Sequence, residues 1–210
     1  SVGLCYSEEL DPRLLDKAVE LLLKGNTHPA IFNDEVIIRG LIKHGVSKDD
    51  AHSYIHSTCV EITPEGCSNA WVASPYTNMA SLLLETMEES FDSFDKLFKT
   101  YLDKLSAKIK NDFEEQLRLR AVREKNAFYP LLSCFVKDCL ESGTGIEQGG
   151  ARYNFIMPSF VGIANVADSL FVLKKLVFEK CEYTLHEFLN ILKENFSNDG
   201  ELLERIKQEF

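Results

Sequence analysis

The chain has 210 residues, 45% of them hydrophobic, and 23 basic against 33 acidic side chains give a formal net charge of −10. That length and apolar share suit one domain or one large lobe with a core of its own, and basic residues scattered among acidic ones leave no stripe for nucleic acid. No apolar run is long enough to span a bilayer, and the first residues lack the regions of a secretory signal, so a cytoplasmic protein without nucleic-acid or membrane partners is expected.

Asp11 before Pro12 is a good helix cap, and Leu14, Leu15, Val19, Leu22 and Leu23 make an apolar stripe that Gly25 ends. The stretch "PAIFNDEVIIRGLIKHG" reads as a short strand or loop followed by a helix from about Asp34 to His44. Ser47 with Asp50 has the spacing of a capping box and predicts a helix reaching about His56. Next comes "STCVEI", short and β-rich, broken by Pro64, Gly66, Ser68 and Asn69 before "AWVAS", which fits a finger-like loop or hairpin.

Residues 76 to 88 read as helical, and Ser93 opens a long amphipathic helix through Phe94, Leu97, Phe98, Tyr101, Leu102 and Leu105 that "KIKNDFEEQLRLRAVREKN" continues. Past Pro130, "LLSCFVKDCLESG" predicts an apolar helix ending at Gly143, with Cys134 and Cys139 as small buried hydrophobes. "GTGIEQGGARYNF" lacks the Lys-Ser/Thr of a P-loop and the spacing of a dinucleotide fingerprint, so it is read as a packing loop. Residues 160 to 180 form an interior helix, Thr184 with Glu187 caps the next, and the last helix runs to Phe210 without a stop signal. That ending, with a first residue that is not Met, reads as a cut piece.

Six cysteines, Cys5, Cys59, Cys67, Cys134, Cys139 and Cys181, match no zinc spacing and are read as reduced thiols. His52 and His56 stand four apart without the Glu of a zincin motif, so no metal site is expected. Trp71 and Tyr76 are read first as core aromatics and second as pocket residues. Cys59 and Glu61 differ, because in an extended segment residues two apart face one side. A reactive thiol and a carboxylate there could take a hydrogen atom and a proton from one small substrate. By itself the triplet also fits a buried cysteine beside a surface glutamate.

Read together, "PAIFNDEVII", "HGVSKDDAHSY", "CVE", "SCFVKDCLESG", "GGARYNF" and "GIANVADSLFVLKKLVFEK" resemble, in order and spacing, the glycyl radical enzymes of the pyruvate formate-lyase-like type. The resemblance covers nearly all of residues 25 to 210. It implies a helix-rich α/β fold, part of a ten-stranded α/β barrel with a central cysteine finger loop. It also implies a fragment of the barrel domain over 1–210, with the N-terminal half and the C-terminal glycyl radical domain absent. No glycine here sits in the setting of the family's radical glycine.

By the same resemblance Cys59 carries the thiyl radical, and the single cysteine followed by Glu61 fits the dehydratase, lyase and decarboxylase branch, with Glu61 as base. Tyr76 stands where a family lyase has a substrate-binding tyrosine, whereas Val72 and Ala73 depart from polar residues of branch members. This chain would bind no cofactor itself. The organic glycyl radical would be installed by a separate activating enzyme using S-adenosylmethionine and an iron–sulfur cluster. Implied partners are that enzyme, the remainder of the barrel with its radical domain, a small-molecule substrate and a second copy in a homodimer; the fragment alone would be inactive. Two other readings stand beside this one: a non-catalytic structural or interaction remnant of the family, and formate acetyltransferase-type acyl transfer, which the lone finger cysteine disfavours.

Overall fold

The structure is a computed structural model in which residues 2–56 and 61–210 are described, without the side chains of 72–74. The chain opens with β1 (Gly3–Tyr6), α1 (Pro12–Leu23) and β2 (Ala30–Asn33), a parallel pair with Gly3 opposite Ala30 and Tyr6 opposite Asn33. The predicted cap is present, since Asp11 accepts from the Arg13 N–H at 3.0 Å. Asn33 then caps α2 (Asp34–Lys43) by accepting from Val36 N–H at 3.1 Å, so strand passes directly into helix.

The Ser47 helix is shorter than its sequence predicts. α3 spans Lys48–His52, and Tyr54–His56 form β3, paired antiparallel with β4 (Ile62–Pro64). The capping box is also incomplete: Ser47 Oγ accepts from Asp50 N–H at 3.2 Å, but the Ser47 N–H goes to the Tyr153 hydroxyl at 2.9 Å and not back to Asp50. "AWVAS" belongs to an eleven-residue strand, β5 (Ser68–Asn78), which absorbs the positions 76 to 78 expected as helix. α4 (Met79–Thr86) starts where Asn78 accepts from the N–H groups of Ala80 and Ser81.

α5 (Phe94–Asn126) runs 33 residues, with Leu97 and Tyr101 buried. The apolar helix expected after Pro130 is instead two short pieces, α6 (Pro130–Ser133) and α7 (Cys139–Ser142). Asp138 separates them with φ 74°, a left-handed conformation that no helix accommodates. Cys139 is buried as expected, while Cys134 is exposed. The glycine-rich segment is a packing loop with a single tight turn at Ile146–Gln148, and a Cβ on Gly150 would fall 2.0 Å from the Thr144 carbonyl oxygen.

β6 (Tyr153–Val161) pairs with β5, and α8 (Ile163–Leu173) continues as a wider π-helical turn over Lys174–Glu179. α9 (Leu185–Lys193) has the complete Thr184–Glu187 capping box that its sequence predicts, and α10 (Gly200–Glu209) follows. The strands described pair as three two-stranded ladders, so no closed barrel exists within this chain's described residues.

Two compact units result, Ser1–Val72 with Leu119–Met157 and Ala73–Arg118 with Pro158–Phe210. The second owns the large apolar core, in which Leu97, Tyr101, Leu173, Leu176, Phe188 and Leu189 lie among the buried residues. The first has a smaller cluster around Cys139, Ile146 and Ala151. Among the described residues no helix is long and apolar enough to cross a membrane.

Candidate active site

The β3–β4 hairpin is the element on which the sequence places its chemistry. His56 lies opposite Ile62, so residues 57–61 join the two strands. Cys59 falls outside the described residues. Glu61 is half-buried and leads directly into β4. Three-residue strands are marginal in isolation, so the hairpin depends on what grips its base.

Two side chains of β3, which share a face by the two-residue period of a strand, hold it to the β1–β2 pair. The Tyr54 hydroxyl donates to Asp34 Oδ1 at 2.5 Å and lies 3.3 Å from Cys5 Sγ. Burial, reinforced by the Asp34 hydrogen bond, pushes the Tyr54 phenol far above its ordinary value, so it remains a donor. The His56 ring stacks on Phe32 with centroids 5.3 Å apart. Gly3 permits this approach: a Cβ there would lie 2.8 Å from Phe32 and 2.9 Å from His56.

At the other end, backbone groups fix the exit from β4. Lys137 N–H donates to Gly66 O at 2.8 Å, and Tyr153 N–H donates to Cys67 O at 3.0 Å. Cys67 is fully buried, and burial pushes its thiol up. Both donors adjoin a charged cluster. Asp50, buried in α3, accepts from the Tyr153 hydroxyl at 2.9 Å, from Ser47 Oγ at 2.9 Å and from Arg152 Nη1 at 3.1 Å. Arg152 also grips Asp138 with both arms of its fork, Nε at 2.9 Å and Nη2 at 2.7 Å. The Tyr153 hydroxyl, with Ser47 and Arg152, holds the Asp50 carboxyl below its usual range; Arg152 does the same for Asp138.

Tyr76 is not a core aromatic. Its neighbour Thr77 is fully buried and donates to Asp112 Oδ2 at 3.0 Å, while Lys108 pairs with the other oxygen of that carboxylate. Strand alternation then turns Tyr76 away from α5, and it is 65% exposed. Glu61 belongs to the first unit and Tyr76 to the second. Trp71, also expected in the core, is half-buried beneath the guanidinium groups of Arg123 and Arg120, 4.3 and 5.1 Å from its ring. Trp71 and Arg120, with Asn69, Glu147 and Gln148, line a cavity of about 240 Å³. Among the described residues no three His, Cys, Asp or Glu side chains gather as metal ligands.

The pyruvate formate lyase-like family model matches residues 1–210. The (2S)-3-sulfopropanediol dehydratase of Klebsiella oxytoca is 30% identical over 86% of this chain and 24% of its own length. The trans-4-hydroxy-L-proline dehydratase of Clostridioides difficile is also 30% identical, over 93% of this chain and 27% of its own. In structure, the glycerol-bound B12-independent glycerol dehydratase of Clostridium butyricum superposes with a TM-score of 0.82 at 31% identity, over 95% of this chain and 27% of that one. The chain therefore belongs to the pyruvate formate lyase-like family, the glycyl radical enzymes, and spans about a quarter of the length of the relatives it matches.

The sequence pointed to the hairpin but missed what holds it. Asp50, Asp138 and Arg152 all stand in stretches that carry the family resemblance, which was the available signal. Their partners lie as far as 103 positions apart, which no local pattern connects.

Proposed function

We propose that this chain carries the reacting hairpin of a glycyl radical dehydratase or lyase. In this reading the remainder of the barrel and a glycyl radical domain complete the site, and a separate S-adenosylmethionine-dependent, iron–sulfur activating enzyme is the partner that installs the radical. That radical supplies the one-electron chemistry by which the Cys59 thiol becomes a thiyl.

Cys59 then takes a hydrogen atom from a substrate carbon, forming its S–H bond and leaving the unpaired electron on that carbon. Glu61 accepts the proton of the adjoining hydroxyl as the neighbouring C–O, C–N, C–S or C–C bond breaks. The product radical takes the hydrogen atom back from Cys59. Tyr76 contributes an exposed phenol as a substrate contact. The substrate class is a small hydroxylated molecule, as with the named dehydratases above.

One observation supports this reading: Glu61, two positions after Cys59 in the sequence, is half-buried immediately before β4, in a chain 30% identical to dehydratases. The test uses the complete natural protein, anaerobically activated and offered vicinal diols, hydroxysulfonates and trans-4-hydroxy-L-proline. Cys59→Ala abolishes turnover and Glu61→Gln lowers kcat by about 10²–10⁴-fold, the usual contribution of a positioned base, without unfolding the protein. Undiminished turnover in Cys59→Ala overturns the proposal.

A further inference from the structure

We infer that Arg152, acting through Asp50 and Asp138, is a positioning residue that sets the place of the β3–β4 hairpin. This rests on the function proposed above, but its structural part stands on contacts already described. Asp50 lies in α3, four positions before Tyr54, the first residue of β3. The N–H groups that hold the exit of β4 come from Lys137 and Tyr153, the immediate neighbours of Asp138 and Arg152. One guanidinium, shared between two carboxylates, therefore ties the entrance of the hairpin to its exit.

The charges are arranged for direction more than for burial. Arg152 presents Nε and Nη2 to Asp138 and Nη1 to Asp50, using its planar fork on two partners at once, which a lysine cannot reproduce. The Tyr153 and Ser47 hydroxyls and Arg152 all converge on Oδ2 of Asp50, which orients that carboxylate. Asp138 holds a left-handed backbone conformation directly after Lys137, whose N–H donates to Gly66 O. A hydrogen-atom transfer depends steeply on the separation of donor and acceptor, and a displacement of about 1 Å can cost on the order of 10²-fold in rate. A short hairpin without a core of its own needs such a clamp at both ends.

The test uses Arg152→Gln in the complete natural protein, with Arg205→Gln, which breaks an exposed pair with Glu182, as the control. Amide exchange of peptides covering 54–66 rises roughly tenfold in Arg152→Gln, the scale of losing a charge-assisted hydrogen bond, and does not change in the control. In the activated protein the glycyl radical signal keeps its wild-type amplitude, kcat falls about tenfold and KM is unaltered. Arg152→Lys rescues neither readout. Unchanged exchange, or wild-type kcat, in a folded Arg152→Gln protein overturns the inference. If Arg152→Gln does not fold, Asp138→Asn decides, because asparagine tolerates the left-handed backbone and removes only the charge; its exchange is read by the same criterion. Exchange is measured without turnover, so failure of the catalytic proposal leaves the clamp separately testable.

Discussion

Replacing Gly3 by alanine tests how closely the base of the hairpin is fitted. The new methyl would stand 2.8 Å from Phe32 Cε2 and 2.9 Å from both Cε1 and Nδ1 of His56, separations that carbon atoms do not hold. Gly3 is paired with Ala30 in the ladder and cannot retreat without breaking that register, and Phe32 is buried. The rings must therefore move. Overpacking of this kind costs about 1–3 kcal/mol. His56→Ala separately forfeits the stacked contact with Phe32, about 0.5–1.5 kcal/mol. In the double variant the alanine methyl loses one of its two clashes, so the combined cost falls short of the sum by at least about 0.5 kcal/mol. Urea unfolding of the three variants in the complete protein gives these differences, and amide exchange of the 54–56 segment locates them. A Gly3→Ala protein as stable as wild type, or strict additivity, would refute the reasoning.

Acid unfolding reports on the clamp. Asp50 and Asp138 have folded values below the unfolded carboxylate value of about 3.9, so their contribution is complete above about pH 4 and lost as pH falls through the folded values. The stability gap between wild type and Asp50→Asn at pH 7 therefore closes below about pH 4, measured by urea midpoints across pH 2–7; a gap constant with pH would contradict this. Thiol alkylation should sort by depth: Cys67 and Cys139, whose thiols burial pushes up, are protected in the native protein at pH 8 and label only in denaturant, as peptide mapping would show.

Legibility in the sequence follows the range of the interactions. Local devices were readable: Asp11 with Pro12, Thr184 with Glu187, and the stripe of Leu97 and Tyr101 each act within a turn or two of helix. The finger-like loop or hairpin read at "STCVEI" falls mostly on residues outside those described, and the pairing observed is that of Tyr54–His56 with Ile62–Pro64. Tyr54–His56 was misread as helix because its strand character comes from pairing with β4 across a turn. The single helix expected after Pro130 was misread because Asp138 takes a left-handed backbone conformation, and its carboxylate pairs with Arg152, 14 positions later. Tyr76 was misplaced for the same reason: Thr77, buried against Asp112 35 positions away, decides which face of β5 Tyr76 takes. Glu61 was legible as a candidate; its support was not.

The contrast between the two units bears on how the β3–β4 hairpin is held. The second unit is stabilised by apolar packing of Leu173, Leu176, Leu97 and Phe188, a force proportional to area and indifferent to direction. A hairpin held that way could slide while keeping most of its stabilisation. The first unit has a small apolar cluster and instead joins α3, α7 and β6 through Asp50, Asp138, Arg152 and Tyr153, whose hydrogen bonds weaken steeply when bent or stretched. Arg152 and Asp138 are partly exposed, so their pairing contributes little net stability. It does contribute geometry: the carboxylates accept only along defined directions, and the residues beside them, Lys137 and Tyr153, donate their N–H groups to Gly66 and Cys67. If the site moves single hydrogen atoms as proposed, it gains more from such a fixed frame than from a larger core, and the sensitivity of kcat to Arg152 is the quantity that measures the gain.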